Sequence, residues 1–227
     1  MVKWLKITSL CALTLWSIGV WFVYFQKATD VSQANPMNIS ADYELSDNFW
    51  TWEAQGRLRL TDMVLDINYE GDLKALANHM ISLQNQAYNV TVDKPSLKFI
   101  ALRGDANGLY VPEDKTIYLN NKMDWRALSV ERYAEVIFHE NMHHNMTYGQ
   151  PNEEELIRDF SYLSLVGFHH QDFAMRVDEK EYNPQEYVAY RSQRAGRYVG
   201  LNYRDLSVWE ITTRMQEIRA IKDKAGL

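Results

Sequence analysis

Cysteine is nearly missing from this chain of 227 residues, which carries one, Cys11, inside an N-terminal apolar stretch. No disulfide framework can form within a single copy, and a cysteine-ligated zinc site is excluded. Any metal beyond that stretch must be held by nitrogen and oxygen ligands. The redox compartment stays open, because a thiol-free domain tolerates either side of a membrane. Basic clusters are also lacking, and the net charge is −6. That balance speaks against a nucleic-acid partner, whose phosphates require a basic face. Prolines are few, and neither an internal repeat nor a low-complexity tract occurs. What remains is globular: fourteen tyrosines and seven tryptophans suit a packed body or an interfacial belt, not a disordered tail. The length accommodates one ordinary domain plus an appendage.

The appendage is the stretch from Ile7 to Phe25, which carries no charge and approaches the length needed to cross a hydrocarbon core. Lys3 and Lys6 precede it, and Trp4, Trp21 and Tyr24 sit near its ends, where interfacial aromatics are found. A cleaved signal peptide would be shorter and would end in small residues, whereas this stretch ends in Trp21-Phe22-Val23-Tyr24-Phe25. The expectation is an uncleaved transmembrane signal anchor over 1–26 and a polar tether over 27–46. The remaining domain would then run over 47–227. The two lysines favour a cytoplasmic N-terminus and a periplasmic or extracellular domain, with Lys27 pulling the other way.

Local signals place the elements of that domain. From Trp50 to Ile67 apolar residues fall at mixed spacing and choose no element. Asp72 is placed to cap a helix reaching about Tyr88, with Leu73, Leu76, Ala77, Met80 and Leu83 on its buried side and His79 solvated. Leu97–Leu102 reads as a strand. Gly108–Val111 and Thr116–Leu119 read as a hairpin around Pro112-Glu113-Asp114. Ser129 or Asp124 starts the next helix, which frays near Thr147-Tyr148-Gly149. A further helix begins at Asn152, with three glutamates where the dipole favours acids and Gly167 as its stop. Asn183-Pro184 opens another, cap before proline. Ser207 and Glu210 form a capping box for the last, whose face is Val208, Ile211, Met215, Ile218 and Ile221. The order defines an α+β domain: a helix, a small sheet, then a helical C-terminal half.

The helix begun near Ser129 carries His139-Glu140-Asn141-Met142-His143 after the apolar run Val136-Ile137-Phe138. Residues four apart stand one above the other on a helix, so both imidazoles can aim at one point. Two histidines at that spacing can grip a zinc ion while the intervening glutamate serves as general base for its water. Val130, Tyr133, Ala134, Ile137, Phe138 and Met142 give the helix a buried side, leaving His139, Glu140 and His143 toward its edge. A short strand ending at Asn120 precedes it.

On these residues the chain resembles the gluzincin group of zinc metallopeptidases, over roughly Leu97 to Arg194. The resemblance implies a zincin-like fold in which a small sheet packs an edge strand on the H-E-x-x-H helix. It implies a peptide or protein substrate whose backbone pairs with that edge, placed here near Tyr118. It also implies a glutamate third ligand from a later helix. Glu186 fits, because Glu186-Tyr187-Val188-Ala189 matches the group's E-x-x-A pattern, small Ala189 allowing close helix approach. Glu186 also sits at the third position of an Asn183 capping box, and Glu155 and Asp159 are further candidates. The metzincin pattern does not fit, since Gly149 stands six residues after His143 where a third ligand is required. His144 reads as solvated or as a neighbour of the ligands, and His169 and His170 as loop residues. Tyr182, Tyr187, Tyr190, Arg191 and the loop histidines are rival donors to a developing oxyanion.

The resulting expectation is a membrane-anchored, zinc-dependent hydrolase of peptide bonds with Zn2+ on His139, His143 and Glu186. Glu140 would take the proton of the attacking water and return it to the leaving amine. Two other readings stand beside it. One is a membrane-tethered interaction or assembly domain with an incidental or inactive tetrad. The other is a zinc hydrolase acting on something other than peptides.

Overall fold

The computed structural model of the chain describes residues 43–67, 72–125, 129–149, 153–169, 175–177, 180–201 and 206–225. The expected anchor and most of the tether lie outside these residues. Among the described residues no helix is long and apolar enough to cross a membrane.

The stretch of mixed spacing is a helix, α1 (Asp47–Val64), opened by the Ser46 hydroxyl accepting from the Phe49 amide. Its periodicity is blurred because it buries polar groups as well as apolar ones: Glu53, Arg57 and Thr61 beside Phe49, Leu60 and Val64. Helix α2 (Leu73–Ala87) starts where expected, with Asp72 accepting from the amides of Lys74 and Ala75. His79 is exposed.

Three strands follow: β1 (Ser96–Ile100), β2 (Gly108–Val111) and β3 (Thr116–Asn120). The hairpin β2–β3 turns through a short 3-10 segment, Pro112–Asp114, with Lys115 left-handed at φ 50°. Strand β1 then adds parallel to the far side of β3, giving the order β1-β3-β2. This corrects one expectation. Tyr118 lies on the central strand, whose main chain is paired on both sides, so it offers no edge to a substrate. The edge beside the His139–His143 motif is β2.

Helix α3 (Val130–Tyr148) carries that motif, and of the two possible starts Ser129 is the cap, accepting from the Arg132 amide. It crosses the middle of the domain against α2, β2 and the helices that follow. Helix α4 (Glu154–His169) runs on through Gly167. A glycine stops a helix when it turns left-handed, and among the described glycines that conformation belongs to Gly104 and Gly200. His169 therefore ends a helix instead of lying in a loop, and His170 falls outside the described residues.

Strands β4 (Met175–Val177) and β5 (Lys180–Tyr182) pair antiparallel. Helix α5 (Pro184–Gln193) is capped by Asn183 and runs into a 3-10 segment, Arg194–Tyr198. Gly196 lies directly on α3: a Cβ there would meet the Glu135 amide nitrogen at 2.5 Å. Helix α6 (Val208–Ala225) has the expected box, the Ser207 amide donating to Glu210 Oε2 and the Glu210 amide to Ser207 Oγ. Its expected face holds only toward the C-terminus, where Ile218 and Ile221 are half-buried. Val208, Ile211 and Met215 are exposed, and Arg214 is buried in their place, because α6 attaches to α1 through ion pairs, Arg214 with Asp62 and Arg57 with Glu217. The architecture is α+β, a small mixed sheet within a mainly helical domain.

Candidate metal centre

One turn apart on α3, His139 and His143 bring their Nε2 atoms within 3.2 Å of each other. Glu186 reaches the same point from the first turn of α5. Its Oε2 lies 3.2 Å from His139 Nε2 and its Oε1 3.3 Å from His143 Nε2. Ala189, one turn further along α5, is fully buried, and its lack of bulk lets the two helices approach. The residues fit a metal. Donors about 3.3 Å apart form the edge of a tetrahedron whose centre lies about 2.0 Å from each, the distance for zinc with nitrogen and carboxylate ligands. Two imidazoles also disfavour magnesium and calcium, which take oxygen. The three side chains form a group able to hold a metal ion.

Glu140 faces the same cleft. Its carboxylate accepts the Tyr110 backbone N–H through Oε2 at 2.8 Å. Burial pushes this carboxyl up to about 7, with the Glu186 charge adding to the rise and His139 and the Tyr110 amide opposing it. Glu186 shifts the other way. Burial alone would raise it, but hydrogen bonds from His139 and His143 outweigh that and hold it well below the usual carboxylate range. Two neighbouring carboxyls are thus driven apart, one ionised and one poised near neutrality, as an acid–base pair of roles requires.

Supporting contacts come from residues without a motif. Gln193 Oε1 lies 3.2 Å from His139 Nδ1, placed to accept a proton there whenever Nε2 serves as a metal ligand. The Tyr190 ring packs edge-on against His139 at 4.8 Å. His144 is fully buried, so the solvated reading fails. Its Nε2 donates to the Asp93 carbonyl at 2.7 Å and its Nδ1 accepts the Tyr110 hydroxyl at 2.8 Å, tying β2 to α3. Behind the motif, Asn141 donates to Gln84 and Asn85, while Gln84 donates to the Phe138 carbonyl and to Ser192. Those bonds fix the rotation of α3 between α2 and α5.

The cleft measures about 280 Å³. Gly108, Leu109 and Tyr110 of β2 wall one side, and Gln185, Glu186 and Thr147 stand opposite. Gly108 is there for space: a Cβ would come within 2.7 Å of Val136 Cγ1 and 2.9 Å of Glu140 Cγ. Gln185 is only 6% exposed, yet its side chain borders the cleft.

Other candidates lie elsewhere. Glu155 accepts from Asn48, and Asp159 accepts from the amide and hydroxyl of Ser46, so both hold the start of α1. Arg191 is bound to Glu53 at 2.8 Å, and Tyr187 packs on Trp50. Neither borders the cleft. Nothing is described of the Tyr182 side chain. Gln193 had a readable signal, since it stands two turns after Glu186 on the same face of α5. The Tyr110 amide had none, because backbone donors carry no sequence signature. Comparison with protein-family models, with curated proteins and with solved structures finds no match for this chain.

Proposed function

We propose that the chain is a membrane-anchored, zinc-dependent metallopeptidase of the gluzincin kind, held by His139, His143 and Glu186 and served by Glu140. The observation that carries this reading is the convergence of three ligating side chains, the two imidazole Nε2 atoms 3.2 Å apart and each within 3.3 Å of one oxygen of the Glu186 carboxylate, beside a buried carboxyl raised to about 7. Bound there, zinc would supply positive charge that acidifies a water and polarises a carbonyl. Glu140 takes the water's proton at its buried carboxylate and hands it to the departing amine. The Tyr110 amide holds one Glu140 oxygen and leaves the other for this exchange. Substrate main chain adds to the outer edge of β2, alongside the Tyr110 amide that Glu140 holds, not to β3 as the sequence implied. Gln185, buried at the wall of the cleft, is the candidate donor to the substrate carbonyl oxygen as charge builds on it.

Metal analysis of the purified full chain tests the reading. Wild type should hold about one equivalent of zinc, and His139→Ala and His143→Ala should lose it. Glu140→Gln should keep the zinc while hydrolysis of unfolded casein falls by a factor of about 100 or more. Undiminished hydrolysis in Glu140→Gln would remove the glutamate from the mechanism. Iron recovered in place of zinc would redirect the site toward oxygen chemistry, which the same two-histidine, one-carboxylate set also serves.

A further inference from the structure

The first two turns of helix α6 are turned the wrong way round for a water-facing helix, while Ile218 and Ile221 further on are half-buried. A surface helix buries its apolar stripe and shows its charges. Here Arg214 and Glu217 face the body of the domain, joined to Asp62 and Arg57, while Val208 is 81%, Trp209 71% and Met215 62% exposed. Of the eight large apolar side chains that stand exposed among the described residues, four (these three and Ile211) fall on the first two turns of α6. Single exposed apolar residues are ordinary, whereas a cluster marks a contact surface. Helical spacing sets Val208, Ile211 and Met215 on one stripe, and Arg219 and Lys222 continue it one and two turns further on. Both of those basic residues are exposed, with acidic Asp223 at the flank.

Beside this stripe opens a cavity of about 470 Å³, lined by Arg57, Arg194, Arg197 and Arg214 with Trp209 among its other lining residues. Glu217 also lines it. Carboxylates of Glu53, Glu135 and Asp62 hold three of these arginines in position. Arg194 is exposed and pairs with no carboxylate among the described residues. Guanidinium forks match phosphate oxygens in geometry as well as in charge.

We infer that this face, the α6 stripe with the arginine cavity at its side, docks on an anionic phospholipid bilayer. The order of chemistry matches. A bilayer presents phosphates over acyl chains, so Val208, Ile211 and Met215 enter the acyl boundary while Arg194, Arg197, Arg219 and Lys222 stay at the phosphates. Trp209 takes the interfacial level that an amphipathic ring prefers. The inference does not depend on the metal centre.

A site-directed nitroxide on the full chain tests it, since Cys11 is the one native thiol. Met215→Cys, in a Cys11→Ser background, is labelled and reconstituted at one copy per nanodisc. The discs contain phosphatidylcholine either alone or mixed with phosphatidylglycerol, and Gln86→Cys on exposed α2 serves as reference. In the anionic discs, collision with a water-soluble nickel chelate should fall several-fold at 215 but not at 86, with a rise in collision with lipid-dissolved oxygen. Arg194→Ala combined with Arg197→Ala should reverse most of that shift. Equal nickel access at both positions in both lipids overturns the proposal. Dipolar coupling between labels in detergent, with no lipid contact in discs, also overturns it and assigns the face to a second copy of this chain.

Discussion

At the scale of single residues, the centre depends on small side chains and backbone atoms as much as on its ligands. Gln193 orients His139 from behind, and contacts of that kind typically carry a factor of about 10 to 100 in metal affinity. Gln193→Ala should therefore weaken zinc binding by about that much in competition with a chelator, and Gln193→Glu, which keeps the acceptor, should recover it. Gly108 presses on Val136 and Glu140. Gly108→Ala must push β2 off α3 and withdraw the Tyr110 amide from Glu140. Turnover should fall while zinc stoichiometry, read by metal analysis, stays at the wild-type value. His139, Glu140 and His143 were legible because a helix makes neighbours of residues four apart without help from the rest of the chain. Gln185 was not legible, since a glutamine beside a ligand is buried or exposed according to what packs over it.

At the scale of elements, local chemistry announced most boundaries. Asp72, Ser129, Asn183 and Ser207 all cap the helices expected of them. The last makes a pH prediction. Hydrogen bonds from the Ser207 hydroxyl and amide hold the Glu210 carboxyl below its ordinary 4.5. A carboxyl depressed in the folded state stabilises above its unfolded value and loses that contribution as pH falls through the folded one. Helix α6 should therefore loosen first on acidification below about pH 4.5, seen as early loss of amide protection over 208–225. Glu210→Ala should give the same loosening at neutral pH, read by the same amide protection. Which strand forms an edge was beyond local reading. The hairpin β2–β3 follows from its turn, but β1 joins β3 across an intervening strand, and no residue in β3 encodes which of its sides β1 takes.

The whole molecule is tied together by buried charge. Glu53 has no exposed surface and binds Arg57 on its own helix and Arg191 on α5, while Arg57 reaches on to Glu217 of α6. Two helices meet at one carboxylate, and Arg57 links the third. Removing it leaves two guanidinium groups without their common counter-charge, a loss on the order of 3–5 kcal/mol for a buried pair. Glu53→Ala should lower the unfolding free energy by about that amount in denaturant titration. The loss should be larger than for Arg158→Ala, whose pairing with Glu155 is exposed. The same network explains why the spacing of α1 was uninformative: a helix that buries ions beside its apolar side shows no clean stripe.

The sequence by itself determined what lies within one or two helical turns: the paired imidazoles with their glutamate, the caps, the hairpin and the α+β order. Only the tertiary structure decided among Glu186, Glu155 and Asp159 as the acid that meets the histidines, moved the sheet edge from β3 to β2, and turned the apolar side of the first two turns of α6 outward. Each of those outcomes rests on contacts between segments tens of residues apart. Periodicity records which side of an element is apolar, but the surface that side meets is set by packing.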